Sequence, residues 1–333
     1  MEEVITLDYG SGGKKTSKLI EDMLLPAFDS EELSKLGDGA ILQGSEQIVF
    51  STDSFVVNPY FFPGGDIGKL SICGTVNDLC MCGGIPRYLS LGFIIEEGFP
   101  VSDLQRIIES IRKTCQFCNV KIVTGDTKVV ERGKGDGIYI NTSGIGFLAH
   151  RGLSPLNIKK GDVVIVSGSV GDHGTAVMLS RNSSFLESNV ISDCAPLHRL
   201  AEKLRQFNDD IRVLRDPTRG GVATTLNEFV EGGELSIELN EKDIPISNVV
   251  NNVCQVLGLD PLYCANEGKL LAVAAPERAD EILQAMHSLP EGKDAAIIGR
   301  VTDSYAGRVI MRTEMGGTHV LTKLTGAQLP RIC

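Results

Sequence analysis

Cys333 stands at the end of the sequence behind Leu329, Pro330, Arg331 and Ile332, and no hydrophobic periodicity runs through it. The preceding Thr325-Gly326-Ala327-Gln328 is polar and contains a breaker, and an extended chain from Thr325 spans roughly 30 Å. A thiol on such a tether has the chemistry of a nucleophile and of a group carrier between an internal pocket and another protein. Prenylation is excluded, because it needs Cys four residues from the end. Four aspartates form a second set: Asp38 between two glycines, Asp53 after Thr52, Asp78 after Asn77, and Asp126 between Gly125 and Thr127. Gathered together they suit Mg²⁺, which takes a few carboxylates and fills its shell with phosphate oxygens and water. Glu267, between Asn266 and Gly268, is a further carboxylate that a turn would present.

These side chains need positioning elements. Residues 8–15 read Asp-Tyr-Gly-Ser-Gly-Gly-Lys-Lys, and a helix with apolar Leu19, Ile20, Met23 and Leu24 is expected over 16–28. Gly12 and Gly13 allow backbone N–H groups to converge on an anion, and Lys14 or Lys15 supplies charge. The spacing is not that of a Walker A loop. Strands are expected over 48–57, 88–95, 120–124 and 138–148, with Gly125-Asp126-Thr127-Lys128 just past the end of the third. Helices are expected over 66–82 and 101–115; the first is dense in small residues and predicts close packing against a sheet or a partner subunit. Beyond the linker at 151–155 a buried strand follows Gly161, and Gly171-Asp172-His173-Gly174 opens a helix, with His173 as a cap-region residue. Asp216 is expected to N-cap a helix with Pro217 at its first position, Gly220 and Gly221 leaving the N-terminus open to a phosphate through 230.

A length of 333 residues predicts two domains. The division expected is an arm at 1–42, a domain at 43–153, a second at 154–324 and a tail at 325–333. A formal net charge of -11 argues against nucleic acid and anionic membrane as partners. The apolar runs are short of a membrane span and Met1-Glu2-Glu3 is acidic, which together predict a cytoplasmic protein. Nine Cys show no regular framework and are expected to remain thiols. Cys80 and Cys82 read as packing residues in a small-residue helix, and Cys115 and Cys118 as packing residues or metal ligands.

The motifs Gly-Ser-Gly-Gly, Gly-Asp-Gly-Ala, Ser-Thr-Asp, Val-Asn-Asp-Leu, Gly-Asp-Thr-Lys-Val, Gly-Asp-His-Gly, Asp-Pro-Thr-Arg-Gly-Gly, Ala-Asn-Glu-Gly and Pro-Arg-Ile-Cys occur in this order along essentially the whole chain. The combination resembles the HypE family, the hydrogenase maturation branch of the PurM-like (AIR synthetase) ATP-binding superfamily. Tyr9 is a departure, since relatives usually carry His before the loop. The resemblance implies a two-domain α+β and α/β fold, with an N-terminal domain that pairs into a β-barrel core of a homodimer and a C-terminal α/β domain closing over ATP. It further implies that Cys333 receives a carbamoyl group from HypF and that this group is dehydrated to a thiocyanate with ATP. The cyanide then passes to iron held by HypC and HypD. On this reading Glu267 is the base and Lys128 polarises the oxygen or relays a proton. ATP contacts fall to Gly12, Gly13, Lys14, Lys15, Thr52, Thr127, Asp216, Gly220 and Gly221, and Mg²⁺ to Asp38, Asp53, Asp78 and Asp126. Two rivals are a sibling such as selenophosphate synthetase, whose loop carries Cys or selenocysteine where Ser11 stands here, and a scaffold whose tail is a docking peptide.

Overall fold

The computed structural model describes residues 3–181, 189–324, 326, 332 and 333. Most of the expected tether, residues 325 and 327–331, lies outside the described residues. Helix α1 (Lys14–Leu19) continues through one wider turn (Ile20–Leu24) into α2 (Leu25–Phe28), followed by the short α3 (Glu31–Ser34). Next come β1 (Ile48–Phe55), the small hairpin β2 (Phe61–Phe62) and β3 (Gly65–Asp66), and α4 (Ile67–Met81). The first half closes with β4 (Gly84–Glu96), α5 (Val101–Cys118), β5 (Lys121–Val130) and β6 (Ile138–Leu148). Four of these strands form a sheet in the order β1-β6-β4-β5, parallel only between β4 and β5.

The second half contributes β7 (Val163–Val166), α6 (Asp172–Arg181), α7 (His198–Leu204), β8 (Ile211–Arg215), α8 (Gly221–Val230) and β9 (Ser236–Asn240). After these follow α9 (Asn248–Leu257), β10 (Leu271–Ala274), α10 (Ala279–His287), β11 (Ala296–Thr302), β12 (Val309–Arg312) and β13 (Thr318–Leu321). Its seven strands lie in the order β13-β12-β9-β11-β7-β10-β8. Strand β10 reads Leu-Ala-Val-Ala and is buried throughout, which is why it sits inside the sheet between β7 and β8.

Helix α4 organises the first domain. The Asp66 carboxylate caps it, accepting from the Gly68 and Lys69 N–H groups at 2.7 and 3.1 Å. Nearly every residue of α4 is buried, against the sheet on one side and α5 on the other. Glycine is required where neighbours come closest: a Cβ at Gly68 would stand 2.6 Å from the Ile107 carbonyl oxygen, and one at Gly74 2.8 Å from the Phe55 ring. The small-residue pattern therefore reflects packing within one chain, and α4 has no face left for a partner subunit.

The opposite side of the four-stranded sheet is uncovered in the chain, exposing Ile48, Phe50 and Ile94. This sheet has β1 and β5 as its edges and no closed sheet occurs among the described residues; a barrel of the expected kind would need two copies of this open sheet. Two differences of boundary bear on the site residues. Strand β5 runs on to Val130, so Asp126, Thr127 and Lys128 lie within it. Helix α8 begins at Gly221 with Gly220 as its cap at φ 81°, so Asp216 is not the N-cap and Pro217 is not its first residue; two glycines with positive φ turn the chain where a helical Pro-led start was expected.

Candidate functional site

The residues singled out in the sequence fall into two groups. The first lies where the two domains meet. Asp53 is on β1, directed at α4, with its Oδ2 3.6 Å from where a Cβ on Gly74 would lie. Asp78, near the end of α4, accepts from the Ser51 hydroxyl at 2.7 Å. Asp216 follows β8 and is buried. Burial raises all three carboxyl pKa values. Asp78 further raises Asp53, and Asp216, pressed by burial and then by Asp78, is pushed up to about 7. Burial is the first cause at all three, with like charge added at Asp53 and Asp216, and added positive charge would relieve them.

Glu267 is the deepest member. Its loop is fixed residue by residue. Asn266 Oδ1 accepts from the Gly171 N–H at 2.8 Å, and its Nδ2 donates to the Pro217 carbonyl at 3.0 Å. The Glu267 N–H donates to Asp193 Oδ1 at 3.0 Å. Gly268 must be glycine, since a Cβ there would lie 1.9 Å from the Asp193 carbonyl oxygen. From the first domain Asn77 reaches across, accepting from the Leu197 N–H at 2.7 Å and donating to the Ala195 carbonyl at 3.1 Å. The Glu267 carboxyl is buried, its Oε1 has no hydrogen-bond partner among the described residues, and burial followed by Cys194 and Asp216 raises its pKa well above the usual range.

Cys333 enters this group. Its carbonyl accepts from the Val56 N–H at 3.3 Å, and Arg219 Nη2 lies 3.7 Å from its Sγ. Burial, then the Glu267 charge, pushes the thiol up to about 12 against the opposing pull of Arg219. Arg219 is raised in turn, first by Cys333. Gly220 and Gly221 begin α8 beside this arginine, and Gly221 fits under the Leu262 and Cys264 carbonyls, where a Cβ would come within 2.4 and 2.7 Å. The α8 N-terminus carries no side-chain cap, although its first N–H, of Gly221, donates to the Thr218 carbonyl at 2.9 Å.

The second group lies at the far edge of the first sheet. Asp126 Oδ1 accepts from Lys128 Nζ at 2.7 Å, which lowers its pKa. Gly10, Gly12, Thr16, Asp126, Thr127 and Lys128 help to line one cavity of about 200 Å³. Gly12 donates to Thr16 Oγ1 at 3.0 Å, Gly13 caps α1, whose first two residues are Lys14 and Lys15, and Lys15 pairs with Asp8 at 3.3 Å. Tyr9, the departure noted above, is a core residue whose ring faces Lys15 Nζ at 5.6 Å. Thr52 is on the uncovered face of the sheet, accepting from the Ser143 hydroxyl at 2.8 Å.

The four aspartates do not converge within the chain. Asp53 pairs with Thr142 on β6, and Asp126 shares a row with Gly92 and Asn141, so three strand spacings, about 14 Å, separate β1 from β5. Asp53 points to α4 and Asp126 to the uncovered side. Asp38 is exposed in the irregular segment before β1. Among the described residues no three His, Cys, Asp or Glu side chains are grouped closely enough to hold a metal ion alone. No described helix is long and apolar enough to cross a membrane, and all nine cysteines are unpaired. Sequence reasoning left Arg219 without a role, although it stood in a quoted motif as a cation beside two glycines. Asn77 likewise stood in a quoted motif without a role, and Asp193 gave no signal of its own, because their work depends on the meeting of the domains.

The family model of the AIR synthase related protein N-terminal domain matches residues 36–148, and that of the C-terminal domain matches residues 159–312. Carbamoyl dehydratase HypE of Cupriavidus necator is 46% identical over 332 residues, covering 99% of this chain and 95% of that protein. A crystal structure of the hydrogenase maturation protein HypE in complex with ATP superposes with a TM-score of 0.94 at 46% identity, over 98% of this chain and 99% of that one. The crystal structure of a HypE-HypF complex matches at 47% identity with a TM-score of 0.80, over 92% and 99% of the two chains.

Proposed function

Since the chain belongs to the HypE carbamoyl dehydratase family, we propose that it carries a carbamoyl group on the Cys333 sulfur and dehydrates it to a thiocyanate with ATP. The carrying observation is the seat of Cys333 beside Arg219, Glu267 and Asp53. HypF, crystallised in complex with a relative, is the proposed donor. HypC and HypD are the proposed acceptors of the cyanide, for the iron centre of nickel–iron hydrogenase.

The reaction balances as thiocarboxamide plus ATP giving thiocyanate, ADP and phosphate. The γ-phosphoryl group bonds to the carbamoyl oxygen, the two protons leave nitrogen, and the carbon–oxygen bond breaks as phosphate departs with its electron pair. Phosphoryl transfer depends on positioning and charge neutralisation. The open α8 N-terminus with Gly220 and Gly221 suits a phosphate, and Arg219 faces the sulfur that bears the reacting group. Asp53 and Asp78 are the residues we assign to Mg²⁺, whose charge would offset the polyphosphate; the carboxyls of Asp53, Asp78 and Asp216, all raised first by burial, fit a cation that takes few protein oxygens. Glu267 takes a proton from nitrogen once its own has been released.

Asp126, Thr127, Lys128 and the Gly12-Gly13-Lys14-Lys15 loop, at the other edge of the sheet, and Thr52, on the uncovered face of β1, are assigned to nucleotide and substrate contacts. Because Thr52, Asp126 and Lys128 lie on the uncovered face with Ile48, Phe50 and Ile94, a homodimer built on that face is part of this reading. The cytoplasm is the assigned compartment, in keeping with nine free thiols.

Mass spectrometry of the Cys333 peptide after incubation with HypF, carbamoyl phosphate and ATP tests the proposal. A carbamoyl adduct that loses water only when ATP is present is the expected result. Cys333→Ala should show neither mass while ATP binding persists. No adduct on the unaltered chain, or water loss without ATP, rejects the reading.

A further inference from the structure

Two domains grip the last two residues. Val56 of the first domain donates to the Cys333 carbonyl, and His173 at the start of α6 bonds through Nε2 to the Ile332 carbonyl at 2.6 Å. His173 and Ile332 are both buried, and the Phe62 ring meets the imidazole edge-on with centroids 5.4 Å apart. The other ring nitrogen, Nδ1, lies 2.8 Å from the Ser192 hydroxyl, whose oxygen also accepts from the Cys194 N–H at 3.0 Å.

These contacts fix the proton positions. A carbonyl can only accept, so Nε2 bears the hydrogen and donates to Ile332. Nδ1 of the neutral ring is then an acceptor, and the Ser192 O–H donates to it. Ser192 is itself set by its own N–H, which donates to the Pro63 carbonyl of the first domain at 2.8 Å. The relay Cys194 to Ser192 to His173 to Ile332 thus ends on the residue next to the reacting sulfur. Were the tail to leave, the buried Nε2–H would lose its partner, a state that costs more than an ordinary exposed hydrogen bond.

We propose that His173 is the latch for the loaded tail, a positioning residue that fixes the Ile332 carbonyl and thereby aims the group on Cys333 at Glu267. The inference rests on the reading of Cys333 as the group carrier. It assigns to the Gly-Asp-His-Gly segment a task toward the substrate-bearing tail, distinct from the support that Gly171 gives to Asn266.

Two readouts separate the latch from the chemistry. The first, alkylation of Cys333 by a small maleimide, needs no catalysis. The second is single-turnover conversion of protein already carbamoylated by HypF. His173→Phe keeps a flat ring of similar size without the donor, and His173→Gln restores a donor. The Phe variant should react with maleimide roughly tenfold or more faster, and convert its carbamoyl group slower by a similar factor, with the final extent of HypF loading and ATP binding unchanged. The Gln variant should recover part of both effects. In a chain lacking Ile332 and Cys333 the Phe substitution should cost less of the thermal midpoint than in the full chain, what remains being the lost Ser192 hydrogen bond, because His173 and Ile332 act as a pair. Wild-type alkylation in the Phe variant, or an equal loss of midpoint in the truncated chain, overturns the latch. Should the Phe variant not fold, Ser192→Ala carries the same measurements, since it removes the donor that fixes the tautomer. A wild-type protein that never dehydrates its tail counts against the carrier reading, while the alkylation rates still decide the latch.

Discussion

In the seated state Glu267 and Cys333 are both pushed toward their protonated forms, the carboxyl by burial and then by neighbouring acidic groups, the thiol chiefly by burial. A protonated carboxyl cannot accept a proton, yet a carboxylate of high proton affinity is a strong base once ionised. The sign of the pH dependence follows. Below the raised pKa each unit of acidification removes about nine-tenths of the ionised base, so single-turnover dehydration should climb with pH beyond the range where an ordinary Glu would have levelled off. Glu267→Gln should load its carbamoyl group normally, convert it about 10²- to 10⁴-fold slower, and lose the slope. Peptide masses followed from about pH 6 to 9 report both effects. A flat profile in the unaltered chain, or wild-type conversion in the Gln variant, would remove Glu267 from the role of base and turn attention to Lys128.

Element packing makes a separate demand, concentrated on α4. Gly68→Ala would force a methyl against the Ile107 carbonyl of α5, and neither helix can shift without disturbing the other face of α4. We expect a loss of about 1–3 kcal/mol in denaturant unfolding with the same element order retained; an unchanged midpoint would mean that α5 yields easily. The density of small residues around Gly68 and Gly74 was readable in the sequence as close packing, and so were α5, β6 and the buried strand β7 after Gly161, because their patterns are local properties. What α4 packs against was not readable, since covering by a sheet and covering by a second subunit ask for the same small side chains. The same limit applies to the aspartates. Their neighbours Gly and Thr announce a presented carboxylate, but strand order decides which of them meet, and β6 and β4 lie between Asp53 and Asp126 in a way no local pattern records. The start of α8 was misplaced because Asp-Pro is a common helix opening, whereas here Gly220 and Gly221 take up positive φ first.

Across the whole molecule the uncovered face of the first sheet predicts assembly. Phe50 is 63% exposed there, with Ile48 and Ile94 on the same side. Light scattering at micromolar concentration should give a dimer, and Phe50→Asp should shift it toward the monomer while circular dichroism is unchanged. A monomeric unaltered chain would leave that face without the partner proposed for it. The meeting of the two domains has a consequence of another kind. Oxidation by peroxide proceeds through the thiolate, and a thiol held near 12 between Arg219 and the acidic cluster is almost wholly protonated at neutral pH. Docked, Cys333 is therefore a sulfur in safe storage: its hazard from oxidants is confined to the intervals when it has been handed outward, and the protein's working lifetime in aerated solution is set by how briefly those intervals last.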